Sequence, residues 1–319
     1  MTPETLAAWS LVGVYSAAAV YLGAFAIFML DLARRSSVAP ARVATASSTA
    51  SAGGSVLVDA PPAPPTVEAP RPSRDARIAF ALTIVAWVVH VAAIILRGVA
   101  AERVPWANMF EFALTGTGII VGVFVVANLW KDLRFLGTFV TGLAVLLLVL
   151  ATRNLYVDVV PLPPALDSAW LVVHVLVAIL ATGFFALGAG LSITQLLQSR
   201  REAGRLTRAR FLTTLPGSMV LETLAYRVNV IGFVLWTFTL IFGAIWAERA
   251  WGRYWGWDTK EVWTFVIWVV FAGYIHARAT RGWRGSRSAI LALVGFAAVL
   301  FNFTVVNLFF TGLHAYSGL

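Results

Sequence analysis

The side chains able to do chemistry in this chain are few and unevenly placed. Four histidines occur, His90, His174, His276 and His314. In an apolar setting an imidazole must find a hydrogen-bond partner or a metal, so each is a candidate site residue. The second concentration is aromatic. Residues 246–268 hold Trp246, Trp251, Trp255, Trp257, Trp263 and Trp268, although thirteen tryptophans in 319 residues would put about one in a window of that length. At its centre, WGRYWGWDTKEVW at 251–263 alternates aromatics with Gly252 and Gly256 and places Asp258, Lys260 and Glu261 at the mouth of a helix. Glycine lets a backbone come close to a flat ligand, and acids suit a helix N-terminus. A belt of tryptophan at the headgroup level accounts for one or two such residues per helix end. A platform for a planar ligand accounts for the crowding better.

The elements that must position these residues follow from composition. With 60% hydrophobic residues, 12% charged residues and no cysteine, and a mean hydropathy of +0.82, the chain has too little polar surface for a soluble enzyme, a disulfide scaffold or a zinc finger. It reads as an all-α polytopic membrane protein. Apolar runs bounded by charges predict eight transmembrane helices near 7–30, 78–100, 109–129, 135–152, 168–197, 228–246, 261–277 and 288–311. If the first helix enters from outside, eighteen of the 24 basic residues fall on inner loops and six outside: Arg97, Arg103, Arg153, Arg249, Arg253 and Lys260. The positive-inside rule then puts both termini on the outer side. The formal charge of +9 is accounted for by orientation in the membrane, without nucleic acid. No basic segment precedes the first apolar stretch, which is too long for a signal peptide, so residues 1–30 read as a retained helix. Residues 31–77 read as a disordered cytoplasmic linker, because 36–76 hold seven of the thirteen prolines and no aromatic residue. Residues 78–319 form the membrane domain, with an external tryptophan loop at 247–263.

This topology sorts the histidines. His174 lies one to two turns inside the outer end of the fifth helix, and His314 follows the eighth on the outer side, both at the level of the tryptophan loop. His276 sits near the cytoplasmic end of the seventh helix and His90 near the middle of the second. Two neutral imidazoles beside flat apolar surface suit a haem, whose iron takes two axial nitrogens. Zinc would want further ligands close by, and the sequence clusters none. If thiols take part in the chemistry they belong to a partner, since this chain has none.

Three segments in this order resemble one family. WGRYWGWDTKEVW looks like the signature loop of the WWD-motif haem-handling superfamily. RGVAAERVPWANMFEF at 97–112 looks like its external Pro-x-x-Asn-x-x-Glu segment, and GLHAYSG at 312–318 like its terminal histidine motif. From residue 78 onward the chain is similar to the system II cytochrome c maturation proteins of the CcsA/ResC family, called CcsB in actinobacteria. The resemblance implies that His174 and His314 are external axial ligands of haem b. The platform over which they hold it would be Trp251, Trp255, Trp257, Asp258 and Trp263. It implies that His276 is a transmembrane ligand of an inner-leaflet haem site, opposed by a histidine of a ResB-type partner subunit, so that this chain is half of a holocytochrome c synthase (haem lyase) complex. Reduced haem would pass from the inner to the outer site. There the thiols of an apocytochrome c Cys-x-x-Cys-His segment would add to its vinyl groups, kept reduced by a thioredoxin-like partner. The location implied is the plasma membrane, with the functional face extracytoplasmic.

Other roles stay open at this point. His90 could contribute a ligand or be a core histidine. Arg249, Arg253 and Lys260 could pair with haem propionates or be solvated rim charges. Asn108 and Glu111 could form a gate or cap the third helix, and Asp258 and Glu261 are as well suited to capping as to proton transfer. A b-type haem electron-transfer subunit is one rival, although no helix here carries two histidines. A small-molecule transporter with a tryptophan belt is another.

Overall fold

The computed structural model describes residues 1–46, 73–160, 167–206, 209–280, 282–310 and 312–314. Its long elements are helices, in the order α1 (Pro3–Ala46), α2 (Arg74–Ala101), α3 (Met109–Trp130), α4 (Gly137–Asn154), α5 (Ala169–Glu202), α6 (Ser218–Trp251), α7 (Thr259–Thr280), α8 (Ser286–Phe301) and a last turn α9 (Asn307–Phe309) joined to α8 by a π turn at Asn302–Val306. Eight helical segments are long and apolar enough to cross a membrane, as expected. α5 and α6, each of 34 residues, rise about 50 Å at 1.5 Å per residue. A bilayer core is about 30 Å thick, so their ends stand clear of it.

Boundaries differ from the hydropathy reading wherever a charge was taken as a stop. α6 begins at Ser218 rather than near 228, because Glu222 and Arg227 continue a helix as readily as apolar residues do. Backbone chemistry sets the ends. Ser73 caps α2, Asn108 caps α3 and Ser168 caps α5 through side-chain oxygens, and Gly252 closes α6 in the left-handed region at φ 70°. The segment expected as the 31–77 linker is helical as far as Ala46 and again from Arg74. Asp31 accepts from both Arg35 and the Ser73 hydroxyl, and Arg34 pairs with Asp75 at 2.6 Å, which ties the two helix ends together. The rest of that expected linker lies outside the described residues.

Two apolar cores hold the bundle. One joins α1, α2, α3 and α4 with the second half of α5 and the first half of α6, with Tyr21, Phe110, Leu114, Phe124, Leu148, Leu191 and Leu221 inside it. The other joins α5, α6, α7 and α8 around Phe185, Trp236, Ile267, Phe271 and Val299. α3 and α5 pack together between the two. Because consecutive crossings alternate in direction, the start of α5, the end of α6, the start of α7 and the tail after α8 meet at one end of the bundle. A third, small cluster of Leu171 and Trp246 with Trp170, Val175 and Trp251 marks that end.

Candidate functional site

A cavity of about 240 Å³ opens between the two cores, walled by α3, α4, α5, α6, α7 and α8. At about 10–15 Å³ per water it is far too large for a packing defect. The lining is mostly apolar, with Trp106, Trp236, Trp246 and Trp255 among its walls. Helical spacing delivers these residues. Leu171, His174, Ala178 and Thr182 form one stripe of α5, and Trp236, Thr239, Gly243 and Trp246 form one stripe of α6.

His174 and His314 both line this cavity. His174 Nδ1 lies 3.0 Å from the Thr239 carbonyl. A carbonyl only accepts, so Nδ1 carries the proton and Nε2 keeps its lone pair. His314 Nδ1 lies 2.8 Å from Asp258 Oδ2, so its ring too is oriented by an acceptor at Nδ1. That bond also holds the Asp258 carboxyl below the ordinary carboxylate range. Trp246 touches both imidazoles, stacked on His174 at 6.0 Å and 11° and edge-on to His314 at 5.7 Å and 63°. Trp251 packs edge-on against both Trp246 and His314, each at 4.7 Å. Two close approaches make the arrangement possible. A Cβ on Gly243 would stand 2.8 Å from His174 Cε1, and one on Gly312 would collide with Asp258 Oδ1.

The tryptophan loop is shorter than the expected 247–263. Residues up to Trp251 belong to α6 and those from Thr259 to α7. Glu261 shapes the connection: its Oε2 accepts from the N–H groups of Gly256 and Asp258, at 2.8 and 3.1 Å. Trp257 sits between them in the left-handed region at φ 61°, which is uncommon for a residue with a large side chain. The strained turn throws its indole outward, 76% exposed. Asp258 does two jobs, accepting from Lys260 N at 3.4 Å at the start of α7 while it holds His314.

Among the residues expected at the site, the structure therefore brings together His174, His314, Trp251, Trp255 and Asp258. Trp257 points away, and Trp263 packs against Phe301 at 4.3 Å between α7 and α8 without lining the cavity. Arg249 is exposed and lies over Trp170 at 5.5 Å. Arg253 folds over Gly256 and pairs with Glu261 at 3.5 Å. Neither arginine lines the cavity. His276 is remote from it, exposed near the far end of α7. His90 is fully buried in the first core, its Nε2–H donating to the Leu114 carbonyl at 3.1 Å and its Nδ1 facing the Tyr21 hydroxyl at 3.5 Å. It serves packing there.

Glu111 is a brace. It pairs with Arg97 at 3.1 Å and Arg103 at 2.6 Å, all three almost fully buried, and takes the Ala107 N–H. The same arginines reach the Val157 and Val160 carbonyls, which ties the 102–108 loop to the segment after α4. Asn108 caps α3 through Oδ1 and leaves Nδ2 buried without a partner at the cavity wall.

Trp246, counted in the tryptophan crowding but not assigned to the platform, completes the walls with Trp236, Trp106, Asn302 and Asn307, which composition did not single out. The three-and-four spacing from Trp236 through Trp246 was the available signal for the α6 stripe. Asn302 and Asn307 are five apart, which an α-helix would separate and the π turn brings to one face.

Fold and cavity together define a class, a polytopic helical membrane protein with two oriented imidazoles in a tryptophan-walled cavity. The particular family follows from comparison: residues 106–314 match the cytochrome C assembly protein family, and the chain belongs to it. The matched span begins and ends on cavity residues. The chain is 32% identical over 259 residues to a cytochrome c biogenesis protein CcsA of Guillardia theta, covering 76% of this chain and 86% of that protein. With CcsA of Synechococcus elongatus it shares 35% over 274 residues, covering 66% and 84%. A similar fold is that of the solved cytochrome c heme lyase CcmF, at TM-score 0.63 and 16% identity over 95% of this chain. The match covers 47% of the CcmF chain, so this chain spans about half its length.

Proposed function

We propose that this protein holds haem b in the cavity for attachment to an apocytochrome c, within the role in cytochrome c biogenesis and haem handling that its relatives support. One observation carries this reading. Two imidazoles are each anchored at Nδ1 by an acceptor, which leaves Nε2 out of that bond, and both rings line one largely apolar cavity. An acceptor behind Nδ1 is the arrangement that orients a histidine ligand of iron. The buried, unpartnered Asn108 Nδ2 and Asn302 Oδ1 on the same wall also fit a ligand with polar edges.

In this reading His174 and His314 would hold the iron, and Trp246, Trp251 and Trp255 would flank the macrocycle. Haem supplies the vinyl carbons to which a client's thiols add. The chain's own part is binding and orientation, which can raise the effective concentration of reacting groups by several powers of ten. His314, on the tail after α9, is the ligand a client histidine would displace. Trp257, exposed beside the cavity, offers that client an apolar contact. His276 has an exposed imidazole on the outer surface of α7 beside Gly273, where open space surrounds the backbone. A ResB-type subunit docked on that face would complete an inner haem site. By its basic residues, the cavity end faces outward from a plasma membrane.

The test is cytochrome c maturation in a host lacking its own system, with a ResB-type subunit co-expressed. The wild-type chain should yield covalently haem-stained cytochrome c, and His174→Ala or His314→Ala should abolish it. Full maturation by both variants would refute the assignment.

A further inference from the structure

Besides the two imidazoles, Asn108, Glu261 and threonines bonded back to their own helices, the polar side chains of the cavity gather along one strip. Lys260, in the first turn of α7, lines it, with its Nζ donating to Asn307 Oδ1. One turn on, the Thr264 hydroxyl donates to the Lys260 carbonyl at 2.7 Å and accepts from Asn302 Nδ2 at 3.3 Å. Asn302 is 5% exposed, and its Oδ1 has no partner. The strip therefore holds one cation and an unmatched amide oxygen inside a tryptophan-walled space.

An ammonium group carries three N–H donors. Asn307 takes one of them, and no carboxylate among the described residues lies within ion-pair distance of Lys260 Nζ. Asp258, the nearest acid in sequence, is committed to His314 and to the α7 backbone. The other basic residues near this end are spent elsewhere: Arg253 on Glu261 and Arg249 on the outside of Trp170. An amine held in an apolar wall with donors to spare is costly unless a ligand supplies negative charge.

Resting on the haem reading above, the geometry points to Lys260 as the carboxylate anchor of the cavity: its ammonium, held by Asn307, receives a propionate and thereby fixes which edge of the macrocycle faces the outer rim. Of the three basic residues expected for that task, Arg249, Arg253 and Lys260, only Lys260 lines the cavity. Lys260 is a positioning residue. It touches the periphery of the ligand and leaves the iron and the vinyl carbons to other groups.

The experiment titrates the full-length protein in detergent micelles with two probes, iron protoporphyrin IX and its dimethyl ester, which share the macrocycle and iron and differ in two methyl groups that remove the propionate charges. A charge-assisted hydrogen bond in a site shielded from water predicts that the diacid binds roughly ten- to a hundredfold more tightly than the ester. In Lys260→Met the diacid should fall to the level of the ester, while ester binding and the iron spectrum stay as in the wild type. Lys260→Arg should keep part of the preference. Equal binding of both probes by the wild type would overturn the anchor while leaving the haem reading intact, and that comparison requires no variant. An undiminished preference in folded Lys260→Met would overturn it too. Failure of the wild type to bind either probe would instead remove the haem reading on which it rests.

Discussion

Asp258→Asn isolates the contribution of one hydrogen bond to the site. The carboxylate stands 2.8 Å from His314 Nδ1, and both side chains are shielded, at 17% and 11% exposure. Asparagine keeps the size and an oxygen acceptor but loses the charge. A hydrogen bond to a charged group contributes about 1.5–3 kcal/mol against about 1 for a neutral one. Removing a partner behind a metal-bound histidine commonly lowers metal affinity about ten- to a hundredfold. The amide should therefore weaken haem binding by about tenfold, and Asp258→Ala, which also frees the ring to rotate, by about a hundredfold. The helix cap is a separate quantity of about 1 kcal/mol that belongs to folding. Reading affinity by haem titration and stability by thermal unfolding of the same samples separates the two. Unchanged affinity in both variants, with His314→Ala still impaired, would refute the idea that Asp258 acts through the imidazole.

Other predictions address neighbouring features. Gly243→Ala forces a methyl to 2.8 Å from His174 Cε1. It should cost about 1–3 kcal/mol and weaken haem binding at the His174 side, seen as a high-spin fraction in the optical spectrum. Glu111→Gln leaves two buried guanidinium groups short of one negative charge. Thermal unfolding should register a loss of about 3–5 kcal/mol, with an unaltered haem spectrum in the protein that remains folded. His276→Ala should leave the spectrum of the purified cavity site unchanged yet lower the yield of mature cytochrome c when the partner subunit is co-expressed. His90→Leu should reduce stability by removing the ring's bond to the Leu114 carbonyl and leaving the buried Tyr21 hydroxyl without its imidazole neighbour, and should not alter the bound-haem spectrum.

How much of this was legible beforehand depended on the range of the determining interaction. Eight spans were readable because hydropathy is local and bilayer thickness fixes length. Pairing His174 with His314 needed only the alternation of crossings, so the sequence placed them at one end without any side-chain geometry. Which tryptophans face the cavity was not readable. Trp255 lines the cavity while Trp257, its ring edge-on to Trp255 at 6.0 Å, stays exposed, a distinction set by the turn that Glu261 binds between Gly256 and Asp258 across the start of α7. Trp246 lay inside an apolar helix, where only the phase of the stripe distinguishes a wall from a lipid contact. Arg249 and Arg253 looked like anion partners because they are basic and close in sequence. Their actual partners, Trp170 and Glu261, depend on tertiary packing and on the loop turn. The role of Lys260 needed the π turn that brings Asn307 beside it.

The measurement closest to the central claim is the paired optical and electron paramagnetic resonance spectrum of haem bound to the full-length protein, taken for the wild type, His174→Ala and His314→Ala. Two imidazoles on one iron predict a six-coordinate low-spin spectrum in the wild type, conversion to five-coordinate high-spin in each variant, and recovery of the low-spin signal on adding free imidazole. A low-spin spectrum that survives unchanged in either variant would show that His174 and His314 do not share an iron.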